Sequence, residues 1–149
     1  MRGRPPATGR VPAKAGREPS RRRRGRMVAD TGGLLRALER RADGRAAWPD
    51  YEEALGDASL VVVPALILAE IDYFLREHRD AMRRLVADMF DPASTYEMEP
   101  TNPWDVARAM QLDGKFCDLG LGLVDCMVAA VAERRKIHSV LTTDRRDFE

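Results

Sequence analysis

The stretch SLVVV, residues 59–63, constrains the fold more than any other in this chain, because it is apolar at nearly every position. A strand with one wet face alternates apolar and polar residues. A continuous apolar run belongs to a strand covered on both faces, as in a parallel sheet with helices above and below. The surrounding patterns supply those layers. Residues 27–29 read as a short strand, and 31–40 as a helix with Leu34, Leu35 and Leu38 on one face. A second helix covers 48–57, with a proline near its start. After the apolar strand, Pro64 is expected to begin a long helix through ALILAEIDYFLREH. Helix 79–90, strand 95–99, a helix opened by Thr101-Asn102-Pro103 that runs towards Gln111 or Phe116, helix 123–136 and strand 138–143 follow. No internal repeat is visible. The order β-α-α-β-α-α-β-α-α-β predicts an α/β fold on a mainly parallel sheet.

The formal net charge of +1 conceals a basic tail joined to an acidic body. Residues 1–26 carry ten Arg or Lys and one Glu, whereas 27–149 carry 15 basic and 23 acidic residues. The tail is rich in Arg, Pro and Gly and cannot bury enough surface to offset its ordering entropy, so it is expected to be disordered. Three readings of it stay open: a nucleic-acid-binding arm built on Arg21 to Arg24, a transit peptide whose prolines argue against an amphipathic helix, or sequence upstream of a true start at Met27. The domain expected to fold is 27–149. No apolar run approaches the ~18 residues of a membrane span. Cys117 and Cys126 have no zinc or redox spacing, and Cys126 is expected in the core. The expected location is the cytoplasm, away from membranes.

Four carboxylates have apolar surroundings. Asp30 ends the first strand, Asp144 ends the last, and ligands bind at the carboxyl edge of open parallel sheets. Asp30 could instead cap the next helix, and Asp144 could be a turn residue. Glu70 has Leu66, Ile67, Tyr73 and Phe74 at its helical neighbours, which places it on the face expected to be core. Asp125 lies in the first turn of its helix beside Leu121, Val128 and Ala129, where capping is the alternative. Glu70 and Asp125 belong to helices that leave the same edge, so the four acids converge. Two carboxylates ~4 Å apart repel by roughly 4 kcal/mol at an effective dielectric of 20. A hard divalent cation, Mg²⁺ or Mn²⁺, relieves that strain through oxygen ligands. His78 and His138 form no zinc pattern. A carboxylate-held metal suits phosphodiester hydrolysis by activated water, with Thr31 and Thr142 offering hydroxyls to water or phosphate. One Asp-Thr-Gly in an α/β chain does not make an aspartic protease. Walker, G-x-S-x-G and G-x-G-x-x-G motifs are absent.

VADTGGLL, VVVPALILAEIDYFL, DLGLGLVDCMVAAVAERR and SVLTTDRRDF occur in this order over 27–149. Together they resemble the PIN-domain ribonucleases, in particular VapC-type toxins of bacterial toxin–antitoxin pairs. The resemblance implies a three-layer α/β/α sandwich and Mg²⁺-dependent endonucleolytic cleavage of a structured RNA. It also implies a homodimer and neutralisation by a VapB-like antitoxin whose tail enters the acidic groove. The family's metal-binding acids fall on Asp30, Glu70, Asp125 and Asp144, with Asp118 as a peripheral fifth. Gly32 stands where relatives more often carry a hydroxyl or amide. The chain ends soon after DRRDF, so the sheet is expected to lack the strand with which relatives close its edge.

Two other functions remain open at the level of sequence. One is a PIN-fold module that binds RNA or a partner without cutting. The other is a phosphatase using the same acids, which cleavage of a small phosphomonoester would reveal. An acidic body must bind RNA through local basic patches, for which Arg36, Arg40, Arg41, Lys115, Arg134 to Lys136, Arg145 and Arg146 are candidates.

Overall fold

The computed structural model describes residues 24–143. The disorder expected of residues 1–23, the strand expected to be missing, Asp144, Arg145 and Arg146 fall outside the described residues, whereas residues 24–26 of the expected tail belong to β1. Within them, the elements are β1 (Arg24–Ala29), α1 (Thr31–Leu38), α2 (Pro49–Asp57), β2 (Ala58–Pro64), α3 (Ile67–Phe74), α4 (Arg79–Phe90), β3 (Tyr96–Glu99), α5 (Pro103–Lys115), a short 3₁₀ turn (Cys117–Leu119), α6 (Leu123–Arg135) and β4 (Val140–Leu141). The four strands pair in the order β3-β2-β1-β4, and every pairing is parallel. β2 is central, and Val61, Val62 and Val63 are wholly buried, as its apolar run predicts.

Connection handedness assigns the layers. The chain steps one way from β1 to β2 to β3 and then returns past both to β4. Parallel crossovers are right-handed, so the α1–α4 connections cover one face and α5–α6 the other. The main core accordingly draws Leu34, Ile67, Ile71, Leu85 and Met89 from the first group and Val128 and Val131 from α6. A smaller cluster of Ala109, Leu112, Cys126, Met127 and Ala130 joins α5 to α6, with Cys126 buried as expected. No described helix is long and apolar enough to cross a membrane.

Several boundaries differ from the sequence reading: α1 stops at Leu38 rather than at 40, and the strand expected over 138–143 keeps only Val140–Leu141, where it pairs with Val28 and Ala29. β1 begins at Arg24, inside the basic segment, because Arg24 and Arg26 pair with Ala58 and Leu60 of β2. Pro64 ends β2, level with Glu99, rather than opening a helix. Ala65 and Leu66 then turn the chain, so α3 is only eight residues long. Its buried residues are Ile67 and Ile71, one helical turn apart. Tyr73 and Phe74, read from the sequence as core neighbours of Glu70, are 61% and 57% exposed where the shortened helix runs out past the core.

The α5–α6 layer is tied down by an ion-pair network. Asn102 caps α5, its Oδ1 accepting from the Asp105 amide at 2.9 Å while its Nδ2 donates to Asp105 Oδ2 at 2.8 Å. Asp105 is only 2% exposed. Arg134 donates to both of its oxygens, each at 2.9 Å, and also pairs with Glu99. Arg135 bridges Glu97 and Glu99 at 2.7 and 2.9 Å. The hydrogen bonds from Arg134 to Asp105 and then to Glu99 push its pKa up, and the bond to Arg135 holds the Glu97 carboxyl below its ordinary value. Arg134→Met is expected to cost about 2–3 kcal/mol, below the usual penalty for a fully buried pair because the arginine is partly solvated. Urea denaturation checks this, and Arg134→Met/Asp105→Asn should recover much of the loss. An unchanged midpoint for Arg134→Met would mean that Asp105 needs no cation.

Candidate active site

The strand order reverses between β1 and β4, since the connection after β1 leads towards β2 while β4 lies on β1's other side. Crevices at such switch points, beyond the carboxyl ends of the strands, are the usual ligand sites of open α/β sheets. Asp30 sits there. The register pairs Ala29 with Leu141, and the Asp30 amide donates to Leu141 O at 3.0 Å, which brings Asp30 level with Thr142.

Asp30 caps α1, its Oδ1 accepting from the Thr31 amide at 2.8 Å, and the positive end of the helix dipole favours its charge. Its Oδ2 accepts from the Thr142 hydroxyl at 2.9 Å. The Thr31 hydroxyl donates to Glu70 Oε1 at 2.8 Å. Thr31 therefore joins the two carboxylates, its amide on one and its hydroxyl on the other. Both threonine hydroxyls are committed to carboxylates rather than turned outward to water or phosphate, as the sequence reading had them. The capping and functional readings of Asp30 do not compete, because one carboxylate can do both. Glu70 is half-buried on the flank of α3 beside Ile67 and Ile71, not on its core face.

Asp125 is half-buried in the first turn of α6, as its spacing predicts. Asp118 is exposed in the 3₁₀ turn. Among the described residues no three Asp, Glu, His or Cys side chains gather closely enough to hold a metal between them. The described part of the site is thus the linked pair Asp30–Glu70, and the convergence of Asp125 with them, expected from the sequence, is not seen as a three-acid group among the described residues. That donor set is oxygen only. It suits Mg²⁺, which is commonly bound by one or two carboxylates plus waters, better than it suits zinc.

The approach of α1 to β4 needs a glycine at position 33 and is tight at position 32. A Cβ on Gly33 would stand 2.0 Å from Leu141 O, and one on Gly32 2.7 Å from Thr143 Oγ1. The residue found at position 32 in place of a hydroxyl-bearing one leaves room for Thr143.

The basic candidates divide sharply. Arg40 pairs with Glu52, and Arg134 and Arg135 are held in the network above. Arg36 instead lies with its guanidinium carbon 4.2 Å from the Trp48 ring centroid and 5.5 Å from that of Tyr51. Tyr51 Oη donates to Thr142 O at 3.3 Å, a contact that sequence reasoning missed. Only a Trp and a Tyr three residues apart at the start of α2 hinted at it.

A model of the PIN domain family matches residues 27–149. Ribonuclease VapC26 of Mycobacterium tuberculosis (strain ATCC 25618 / H37Rv) is 27% identical over 124 residues, which are 82% of this chain and 89% of that relative. The fold is similar to the crystal structure of Mycobacterium tuberculosis VapC20, described as a Sarcin-Ricin loop cleaving toxin. That match has a TM-score of 0.65 at 16% identity, over 81% of this chain and 92% of the other. With an all-parallel 3-2-1-4 sheet, Asp30 and Glu70 joined at its switch point and a family model that spans the body, this chain belongs to the PIN domain family.

Proposed function

We propose that this protein is a metal-dependent endoribonuclease toxin of the VapC type, acting on structured RNA in the cytoplasm. The observation that carries this reading is the Thr31 link between Asp30 and Glu70 at the switch point of the sheet. The ribonuclease named among its relatives supports it. Asp30, Glu70, Asp125 and Asp144 would hold Mg²⁺ or Mn²⁺. When bound, the ion lowers the pKa of a coordinated water and offsets charge developing on the phosphate.

The protein's own part is to place and fix the carboxylates. Thr142 and the Thr31 amide set the plane of Asp30, and the Thr31 hydroxyl fixes one oxygen of Glu70. Such outer partners usually carry 10–100-fold of metal affinity or activity, as a rough range. The likeness to VapC relatives also leads us to infer a homodimer and a VapB-like antitoxin as partners.

Purified protein incubated with total bacterial RNA and Mg²⁺ is expected to give discrete cut ends, which EDTA abolishes. Full activity in EDTA would remove the metal from the mechanism. Folded protein that cuts no RNA with Mg²⁺ or Mn²⁺ would leave a non-cutting PIN module, and release of phosphate only from small monoesters would indicate a phosphatase.

A further inference from the structure

Resting on the ribonuclease reading, we propose that Arg36, Trp48 and Tyr51 form a docking site for an unpaired nucleotide of the RNA beside Asp30. Trp48 would stack on the base and Arg36 would meet a phosphate.

Four observations carry this. First, no carboxylate pairs with Arg36 among the described residues; Arg41, Arg45, Arg76 and Arg84 share this, but of these Arg36 is the one that reaches Tyr51 and through it Thr142. In a body with 15 basic and 23 acidic residues over 27–149, an uncompensated guanidinium close to Asp30 is a group that would draw a polyanion to the site. Second, the platform is held in place. The Trp48 indole N–H donates to Glu39 Oε2 at 2.8 Å, and its ring meets Tyr51 edge to face at 6.3 Å between centroids. Third, Trp48 remains 40% exposed even with Arg36 over its ring, so a second stacking partner has surface to cover. Fourth, the platform is continuous with the site. Arg36 Nη1 lies 3.4 Å from Tyr51 Oη, which donates to Thr142 O, and the Thr142 hydroxyl donates to Asp30.

Unstacked bases resting on aromatic rings and on guanidinium planes are the common currency of single-stranded RNA recognition. Tyr73 and Phe74 also form an exposed aromatic pair, with Arg76 4.5 Å over the Tyr73 ring, but among the described residues no hydrogen bond links them towards Asp30.

The test uses the full chain carrying Trp104→Phe, a change on the exposed side of α5 that leaves Trp48 as the sole tryptophan. An unstructured RNA hexanucleotide in EDTA is expected to quench Trp48 fluorescence saturably. In the native background, Trp48→Leu should weaken binding of that oligonucleotide about tenfold. It should raise KM for cleavage in Mg²⁺ while leaving kcat nearly unchanged, and Trp48→Phe should restore most of the loss. Arg36→Met should weaken binding and flatten its salt dependence. Wild-type cleavage with no quenching, or with a wild-type KM in folded Trp48→Leu, overturns this inference alone. A wild type that neither binds nor cuts RNA overturns the ribonuclease reading together with it. Should Trp48→Leu not fold, the quenching and Arg36→Met results decide.

Discussion

Asp30→Asn is expected to lower RNA cleavage by about 100-fold or more while leaving the melting temperature within a few degrees of the native protein. The two halves of this expectation come from different atoms of one side chain. As a cap, Asp30 needs only an acceptor for the Thr31 amide, and asparagine caps helices as well as aspartate does. The amide group can also accommodate the Thr142 hydroxyl, which accepts as readily as it donates. Stability should therefore be nearly indifferent to the change. Asparagine cannot supply the negative charge a divalent cation needs, and Asp30 is 8% exposed, so little water is available to substitute. Cleavage kinetics, Mn²⁺-dependent thermal shift and near-UV circular dichroism on the same preparations separate the two effects. Cleavage by Asp30→Asn at the native rate and native Mg²⁺ requirement would remove Asp30 from the site. A large fall in melting temperature would instead make it chiefly a structural cap.

The parts of this architecture that were legible in the sequence are those written in local pattern. The run at 59–63 announced a strand buried on both faces, which holds for Val61 to Val63 but not for exposed Ser59, and α4 spans the 79–90 its amphipathic period indicated. The place of Asp30 at the carboxyl end of a buried strand was legible, and so was the capping role that stood as its alternative. Boundaries set by pairing partners were not legible. The basic residues Arg24 and Arg26 say nothing of a strand until β2 is alongside. Pro64 can open a helix or close a strand, and its level with Glu99 decided the matter. The apolar neighbours of Glu70 suggested a core-facing acid, yet Tyr73 and Phe74 lie beyond the point where α3 has anything to pack on.

Long-range polar partnerships were the least visible. Arg134 reads as one of three basic residues in a row, and only the α5–α6 hairpin brings it to Asp105, 29 positions away. Thr31 and Thr142 were recognised as hydroxyl donors near the site, but their acceptors, Glu70 and Asp30, lie 39 and 112 positions distant.

Gly33→Ala should be the most damaging single-methyl change in the described domain. The added Cβ would meet Leu141 O at 2.0 Å, Leu141 C at 2.3 Å and the Thr142 amide nitrogen at 2.6 Å. All three are backbone atoms of β4 and the residue that follows it, so no side-chain rotation can relieve the clash, and α1 must move away from the sheet. That movement strains the bond from the Asp30 amide to Leu141 O, and with it the reach of the Thr142 hydroxyl to Asp30. A loss of about 3 kcal/mol or more is expected, at the upper end for overpacking. Against a typical domain stability of about 5–15 kcal/mol, this lowers the melting temperature by roughly 10 °C and reduces cleavage even in the fraction that stays folded. Gly32→Ala supplies the control. Its Cβ would meet only the Thr143 side chain, at 2.7 Å from Oγ1, and that exposed side chain can turn away. Alanine's better helix propensity, worth about 1 kcal/mol, would offset much of what remains. Both variants remove one glycine from the same turn of α1, yet one should unfold early and the other should melt near the native temperature. Equal melting temperatures would show that α1 and β4 are not in the close backbone contact on which the placement of Asp30 depends.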